Sequence, residues 1–67
     1  VITLTVNGEA RELPEGASVE ALLEALELHR QPCAVEVNRR LVPKRDHRGH
    51  ALADGDAVEI VTLVGGG

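Results

Sequence analysis

Only one stretch of this chain has the apolar spacing of a helix. Val19, Leu22, Leu23 and Leu26 fall on one helical face, while Glu20, Glu24 and Glu27 lie elsewhere and meet water. Ser18 stands at the N-cap position, with Glu20 in the first turn where an acid complements the helix dipole. His29 and Arg30 suit the last turn, and Pro32 bars continuation. A lone amphipathic helix must bury its stripe against something, so the rest of the chain has to supply an apolar sheet.

The rest does alternate as strands do. Ile2, Leu4 and Val6 share one parity and Thr3 and Thr5 the other, the pattern of a half-buried strand. Asn7-Gly8 is a strong hairpin signal because both residues tolerate positive φ, so Glu9 to Leu13 should return beside the first strand. Pro14-Glu15-Gly16 ends that strand with turn chemistry. Beyond the helix, Cys33 to Asn38 alternates again, and Leu41-Val42 is a short strand cut off by Pro43. Lys44 to His50 is polar and irregular, Asp54-Gly55-Asp56 is a turn, and Ala57 to Val64 is the final strand.

The order is therefore ββα followed by two or three strands. This is an α+β chain with one helix packed across a mixed sheet of four to five strands, the ubiquitin-like β-grasp arrangement. The first and last strands should lie side by side in the middle, since both are strongly apolar. Parity places Val58, Ile60, Thr62 and Val64 on one face of the last strand, with Glu59, Val61 and Leu63 on the other.

At 67 residues the chain is a single domain, read as a folded body over 1–64 and a flexible glycine tail over 65–67. A domain of this size buries only about 60% of its unfolded surface, so its core must be simple. Hydrophobic residues are 43% of the chain, too many for disorder, yet Phe, Trp, Tyr and Met are all absent. The core must be Val, Leu, Ile and Ala, and no aromatic face exists on which a nucleic-acid base could stack. The formal net charge of −4 also lacks the electrostatic footprint of a nucleic-acid binder and favours a partner with a basic docking surface. The basic run Arg39, Arg40, Lys44, Arg45 and Arg48 reads as a solvated loop before a partner contact. One cysteine excludes an internal disulfide and fits a reduced, cytoplasmic protein. No stretch is apolar enough over a sufficient length to span a bilayer, and the free protein is expected to be a monomer.

Candidate functional residues gather at the chain's end. Val61 and Leu63 would sit on the sheet face away from the helix, as a docking patch or as isolated exposed apolar residues. Gly65, Gly66 and Gly67 follow directly. Glycines lack Cβ atoms, so they can thread a narrow channel and adopt whatever φ and ψ it demands. A terminal carboxylate is unreactive until activated, most simply by adenylation with ATP in a closed site. Such a protein is a substrate that carries its own handle and needs no internal nucleophile, base or metal ligand. His29, His47 and His50 offer no convincing metal spacing and read as solvated loop residues. Cys33 shares parity with Val35 and Val37 and reads as a buried strand cysteine rather than a persulfide carrier. An iron–sulfur cluster would need four cysteines.

The runs Val35-Glu36-Val37-Asn38, Leu41-Val42-Pro43-Lys44-Arg45 and Leu52-Ala53-Asp54-Gly55-Asp56, with the glycine end, resemble the ThiS family of thiamine-pathway sulfur carriers over essentially the whole chain. The resemblance implies that a ThiF-like adenylating enzyme activates the Gly67 carboxylate with ATP and magnesium. It implies that sulfur from a cysteine desulfurase or another persulfide donor displaces AMP to leave a thiocarboxylate. A ThiG-like thiazole synthase would then accept that sulfur, and the carrier itself would bind no cofactor and catalyse nothing. Gly65 stands where the family often has another small residue, and Lys44-Arg45 shifts or doubles the basic residue usual after the proline. Sibling carriers for molybdopterin or tRNA thiolation, a β-grasp module that only binds, and protein conjugation through Gly67 are the alternatives. The molybdopterin carrier typically approaches its glycines through proline, whereas Thr62-Leu63-Val64 stands here.

Overall fold

The computed structural model describes residues 1–63. Two strands come first, β1 (Ile2–Val6) and β2 (Glu9–Leu13), then the helix α1 (Val19–Ala25). After it follow β3 (Cys33–Val37), β4 (Arg40–Val42), a single 3-10 turn (Lys44–Asp46) and β5 (Ala57–Thr62). The five strands form one sheet in the order β2-β1-β5-β3-β4. The first and last strands are adjacent and parallel, and the other neighbours are antiparallel. This is the expected mixed sheet with its single α-helix among the described residues. The last strand ends at Thr62, with Leu63 already beyond it, short of the expected Val64; Val64 and the tail Gly65 to Gly67 lie outside the described residues.

Alternation in the strands becomes a two-sided sheet. Ile2, Leu4, Val6, Val35, Val37, Val58 and Ile60 are buried on the face that α1 covers with Val19, Leu22 and Leu23. Leu26 is only partly buried against this core. Neighbouring positions Thr3, Thr5, Glu36, Glu59 and Val61 point to the other face and are exposed. Pairing fixes the register with no slip: Val35 lies opposite both Ile60 and Val42, so three buried side chains stack in one row across three strands.

Both hairpins turn on residues with positive φ. Asn7 and Gly8 (φ 51° and 86°) join β1 to β2, and Asn38 and Arg39 (φ 53° and 68°) join β3 to β4. Each pair has the signs of a type I′ turn, whose twist matches the strands. The second of these was not legible, because arginine has no special tolerance for that region.

Asn7 does more than turn the chain. Its side-chain Nδ2 donates to the Ile60 carbonyl at 3.2 Å, and the Ile60 N–H donates to its Oδ1 at 2.9 Å. The amide thus extends the short β1–β5 ladder by one step. Asn7→Gly keeps the permitted φ but removes both bonds. We expect it to lower stability by about 1–2 kcal/mol, two net hydrogen bonds less a small turn gain, read as a lower urea midpoint.

The helix ends earlier than its sequence suggests. Leu26 caps it and Glu27 takes φ 60°, so His29 and Arg30 lie in the turns beyond and not in the last helical turn. Leu28 N donates to Leu23 O at 2.8 Å and Glu27 N to Glu24 O at 3.0 Å, the paired bonds of a Schellman motif. Leu28 then packs on the core. Exposed Glu27 holds the left-handed position that glycine prefers, so Glu27→Gly should raise stability by about 1 kcal/mol, seen as a higher melting temperature.

The segment from Lys44 to His50 corrects the expectation of a wholly irregular, solvated loop. Lys44–Asp46 form a 3-10 turn, and His47 is buried with 7% of its surface exposed. Its Nε2 lies 3.0 Å from the Val42 carbonyl, which only accepts, so that nitrogen carries the hydrogen. The loop also finishes the helix. Val19 N donates to His50 O, Glu20 N to His47 O, and Ala21 N to the Ser18 hydroxyl, each at 3.0 Å. Three helix N–H groups that begin without intrahelical partners are satisfied in this way.

Candidate functional site

The sheet aims the chain's end. β5 is the central strand, clamped between β1 and β3, and it runs directly toward the glycines. Its start is held by the Asp54-Gly55-Asp56 turn, where Gly55 has φ 87°. Thr3 N donates to Asp54 Oδ1 at 2.7 Å, and Thr5 N to Asp56 O at 3.0 Å. Asp56 Oδ1 accepts from Asn38 Nδ2 at 2.9 Å, and Asn38 Oδ1 accepts from Ala57 N at 3.0 Å. The two aspartates and Asn38 are therefore structural. They tie the start of β5 to β1 on one side and to the β3–β4 hairpin on the other.

At the other end of β5, Cys33 lies opposite Thr62, and Leu63 N donates to Pro32 O at 2.8 Å. That bond is the last described anchor before the glycines. Val61 lies on the outer sheet face opposite Ala34 and is 60% exposed. Leu63, one step past the strand, is 52% exposed and borders a groove of ≈ 450 Å³ with Glu24, Pro32, Cys33, Lys44 and His47. Val61 keeps the outer face expected of it, but the expectation for Leu63 is corrected: the strand ends at Thr62, and Leu63 borders the groove lined also by Glu20, Leu23 and Glu24 of α1. Gly65, Gly66 and Gly67 lie outside the described residues.

Of the other candidates, Cys33, His29 and His47 border the same groove, and His50 does not. Cys33 is half-buried in β3, its thiol within 3.3 Å of the Gln31 carbonyl and 3.7 Å of the Leu28 carbonyl. The expectation of a buried strand cysteine holds for its strand, while the groove leaves the sulfur partly open. His29 is exposed, His50 half-buried and His47 buried, so the three do not share one environment. No group of three His, Cys, Asp or Glu side chains suited to a metal occurs among the described residues. His47 was missed as a structural anchor, and a histidine within a polar run carries no signal that could have revealed it. No helix among the described residues is long and apolar enough to cross a membrane.

Comparison with known proteins gives the arrangement its family. The family model of the ThiS family matches residues 4–67, nearly the whole chain and all of the glycine end. A thiazole synthase of Paramagnetospirillum magneticum is 44% identical over 64 residues, 96% of this chain and 20% of that protein. The chain thus spans about a fifth of that relative's length. The sulfur carrier protein ThiS of Escherichia coli is 30% identical over 61 residues, 91% of this chain and 92% of that protein. The crystal structure of a thiamine biosynthesis protein (ThiS) from Geobacter metallireducens superposes with a TM-score of 0.82 at 33% identity. That match covers 98% of this chain and all of the other. The five-stranded mixed sheet crossed by one helix is thus a ubiquitin-like β-grasp, and the chain belongs to the ThiS family of sulfur carrier proteins.

Proposed function

We propose that this protein carries sulfur on its last residue for assembly of the thiazole ring of thiamine. The observation that carries the reading is the match of the family model through residue 67, glycine end included. A ThiF-like enzyme adenylates the Gly67 carboxylate with ATP and magnesium, and sulfur from a cysteine desulfurase or other persulfide donor displaces AMP. The acyl disulfide formed in that displacement is cleaved by a thiol, which leaves as a disulfide with the donor's cysteine sulfur, and the thiocarboxylate so freed on Gly67 passes its sulfur to a ThiG-like thiazole synthase. The chain contributes no catalytic group to the adenylation or to the delivery. Its own work is to dock, present and release.

The physical division of labour follows from the fold. A rigid body offers partners a surface that costs little ordering, and this offsets the entropy lost when Gly65, Gly66 and Gly67 are drawn into a closed site. Val61 and Leu63, accessible at the end of β5, are the contacts we assign to that docking. The chemistry is placed in the cytoplasm, where thiols stay reduced. The similarity of this chain to a fifth of a thiazole synthase favours the thiamine pathway over molybdopterin synthesis or tRNA thiolation.

The test is an intact mass after incubation with the adenylating enzyme, ATP and a sulfur donor. Exchange of one oxygen for sulfur adds about 16 Da, as does oxidation of Cys33 to a sulfenic acid, so fragmentation must place the change. Sulfur on Gly67 supports the reading. An unmodified Gly67 with an enzyme shown to be competent refutes it.

A further inference from the structure

The groove beside Leu63 holds a thiol and a buried histidine whose polar atoms the fold does not use up. Cys33 stands opposite Thr62, and Leu63 N is bonded to Pro32 O, so the sulfur lies beside the point where the described chain leaves the sheet. The Gln31 carbonyl at 3.3 Å and the Leu28 carbonyl at 3.7 Å hold the thiol in its protonated form, idle until a base takes the proton. His47 lines the same groove with only 7% of its surface exposed. Its Nε2–H is given to the Val42 carbonyl, which makes Nδ1 the acceptor of the ring. Among the described residues Nδ1 has no partner, and it is not sealed from solvent. A buried ring so placed offers the groove a seat for a proton.

The chain's last carbonyl carbon is within range of that sulfur. Four residues follow Leu63, and an extended chain spans at most about 3.6 Å per residue, so Gly67 is confined to a radius of about 14 Å. Opposed Cα atoms of antiparallel strands are about 5 Å apart, which puts Cys33 well inside that radius. We infer that Cys33 is the thiol that cleaves the acyl disulfide on Gly67, its proton passing to His47 Nδ1. The inference rests on the carrier reading and gives one step of it to the carrier's own side chains. Once the tail has left the closed site, the Cys33 sulfur attacks the donor's sulfur. The acyl disulfide S–S bond breaks, the thiocarboxylate leaves with the electron pair, and a Cys33–donor disulfide forms. One S–S bond replaces another, so the step needs no outside oxidant or reductant. Small-molecule thiols, two per disulfide, then return Cys33 and the donor to their reduced forms. Charge suits the order of events. Glu20 and Glu24 of α1 line the groove against Lys44, with His29 at the same surface. A tail carboxylate is disfavoured there, the neutral acyl disulfide is admitted, and the thiocarboxylate anion is expelled after cleavage.

The experiment incubates the full chain with the purified adenylating enzyme, ATP and a persulfide-loaded donor, without added thiol, and maps adducts by mass spectrometry under non-reducing conditions. The wild-type chain should show the donor joined to Cys33 together with a thiocarboxylate on Gly67. Cys33→Ser keeps a hydroxyl for the same carbonyls, so its urea midpoint should stay near the wild-type value. Its adduct should remain on Gly67, and free thiocarboxylate should appear at least about tenfold more slowly until dithiothreitol is added. His47→Gln should slow the step about tenfold at neutral pH and far less at about pH 9, where a free thiol ionises unaided. Equal slowing at both pH values removes His47 from the step. A wild-type chain with no adduct on Cys33 overturns the inference. So does a Cys33→Ser chain that frees thiocarboxylate at the wild-type rate without thiol. In either case sulfur found on Gly67 leaves the carrier reading standing. If wild-type Gly67 acquires no sulfur from a competent enzyme and donor even with dithiothreitol present, both fall together.

Discussion

A chain lacking Gly66 and Gly67 should fold as the parent does and take up no sulfur. The core explains the first half. Among the described residues every buried apolar side chain lies between Ile2 and Ile60, and the last described backbone anchor is Leu63 N to Pro32 O, so the described core is built without the last two glycines. The second half follows from reach. Removing two residues withdraws the carboxylate by up to about 7 Å from where docking of the body would deliver it. A misplacement of about 1 Å can cost on the order of a hundredfold in a positioned reaction. We expect thiocarboxylate formation to fall by at least about a thousandfold, measured by intact mass. The urea midpoint should not move. The shortened chain should still compete with the full one for the adenylating enzyme, because the docking body is unchanged. Normal sulfur uptake by the shortened chain would refute the assignment of Gly67.

Leu22→Ala should come close to unfolding the protein. Leu22 is fully buried at the centre of α1, a helix of only seven residues. A helix so short has no stability of its own and exists because its apolar stripe is packed. Truncating a buried leucine to alanine costs about 2–5 kcal/mol, the lost transfer energy plus the cavity left behind. A domain of this length holds only about 3–10 kcal/mol in total. The substitution therefore removes a large share of the stability, and its urea midpoint should drop accordingly. Leu26→Ala, at a half-buried position just past the helix, should cost clearly less, and exposed Glu24→Ala should stay within about 0.5 kcal/mol. Equal losses at Leu22 and Leu26 would mean that the helix is held by something other than its packed stripe.

Much of this architecture was legible because local rules and burial agree. Alternation in Ile2–Val6 and in Cys33–Val37 reports which side chains face the helix, and the period of two leaves no second choice once one face is buried. The N-cap at Ser18 and the turn at Asn7-Gly8 are chemistry of single residues, and both are present as read. The helix C-terminus was misplaced because Glu27 is a poor left-handed residue in isolation. Packing of Leu28 on the core offsets that local cost, and no local preference reports it.

The chain's own letters determined the element order, the identity of the buried face and the glycine end, since each depends on the spacing or chemistry of neighbouring residues. Tertiary structure alone decided the rest. It turned Asn7 from a turn residue into a clamp on Ile60, 53 positions away. It buried His47 to satisfy the helix N-terminus and the Val42 carbonyl. It brought Glu36 opposite Glu59. The physical reason is common to all three: a hydrogen bond or a charge pair depends on distance in space, and only the closed sheet sets distance between residues far apart in the chain.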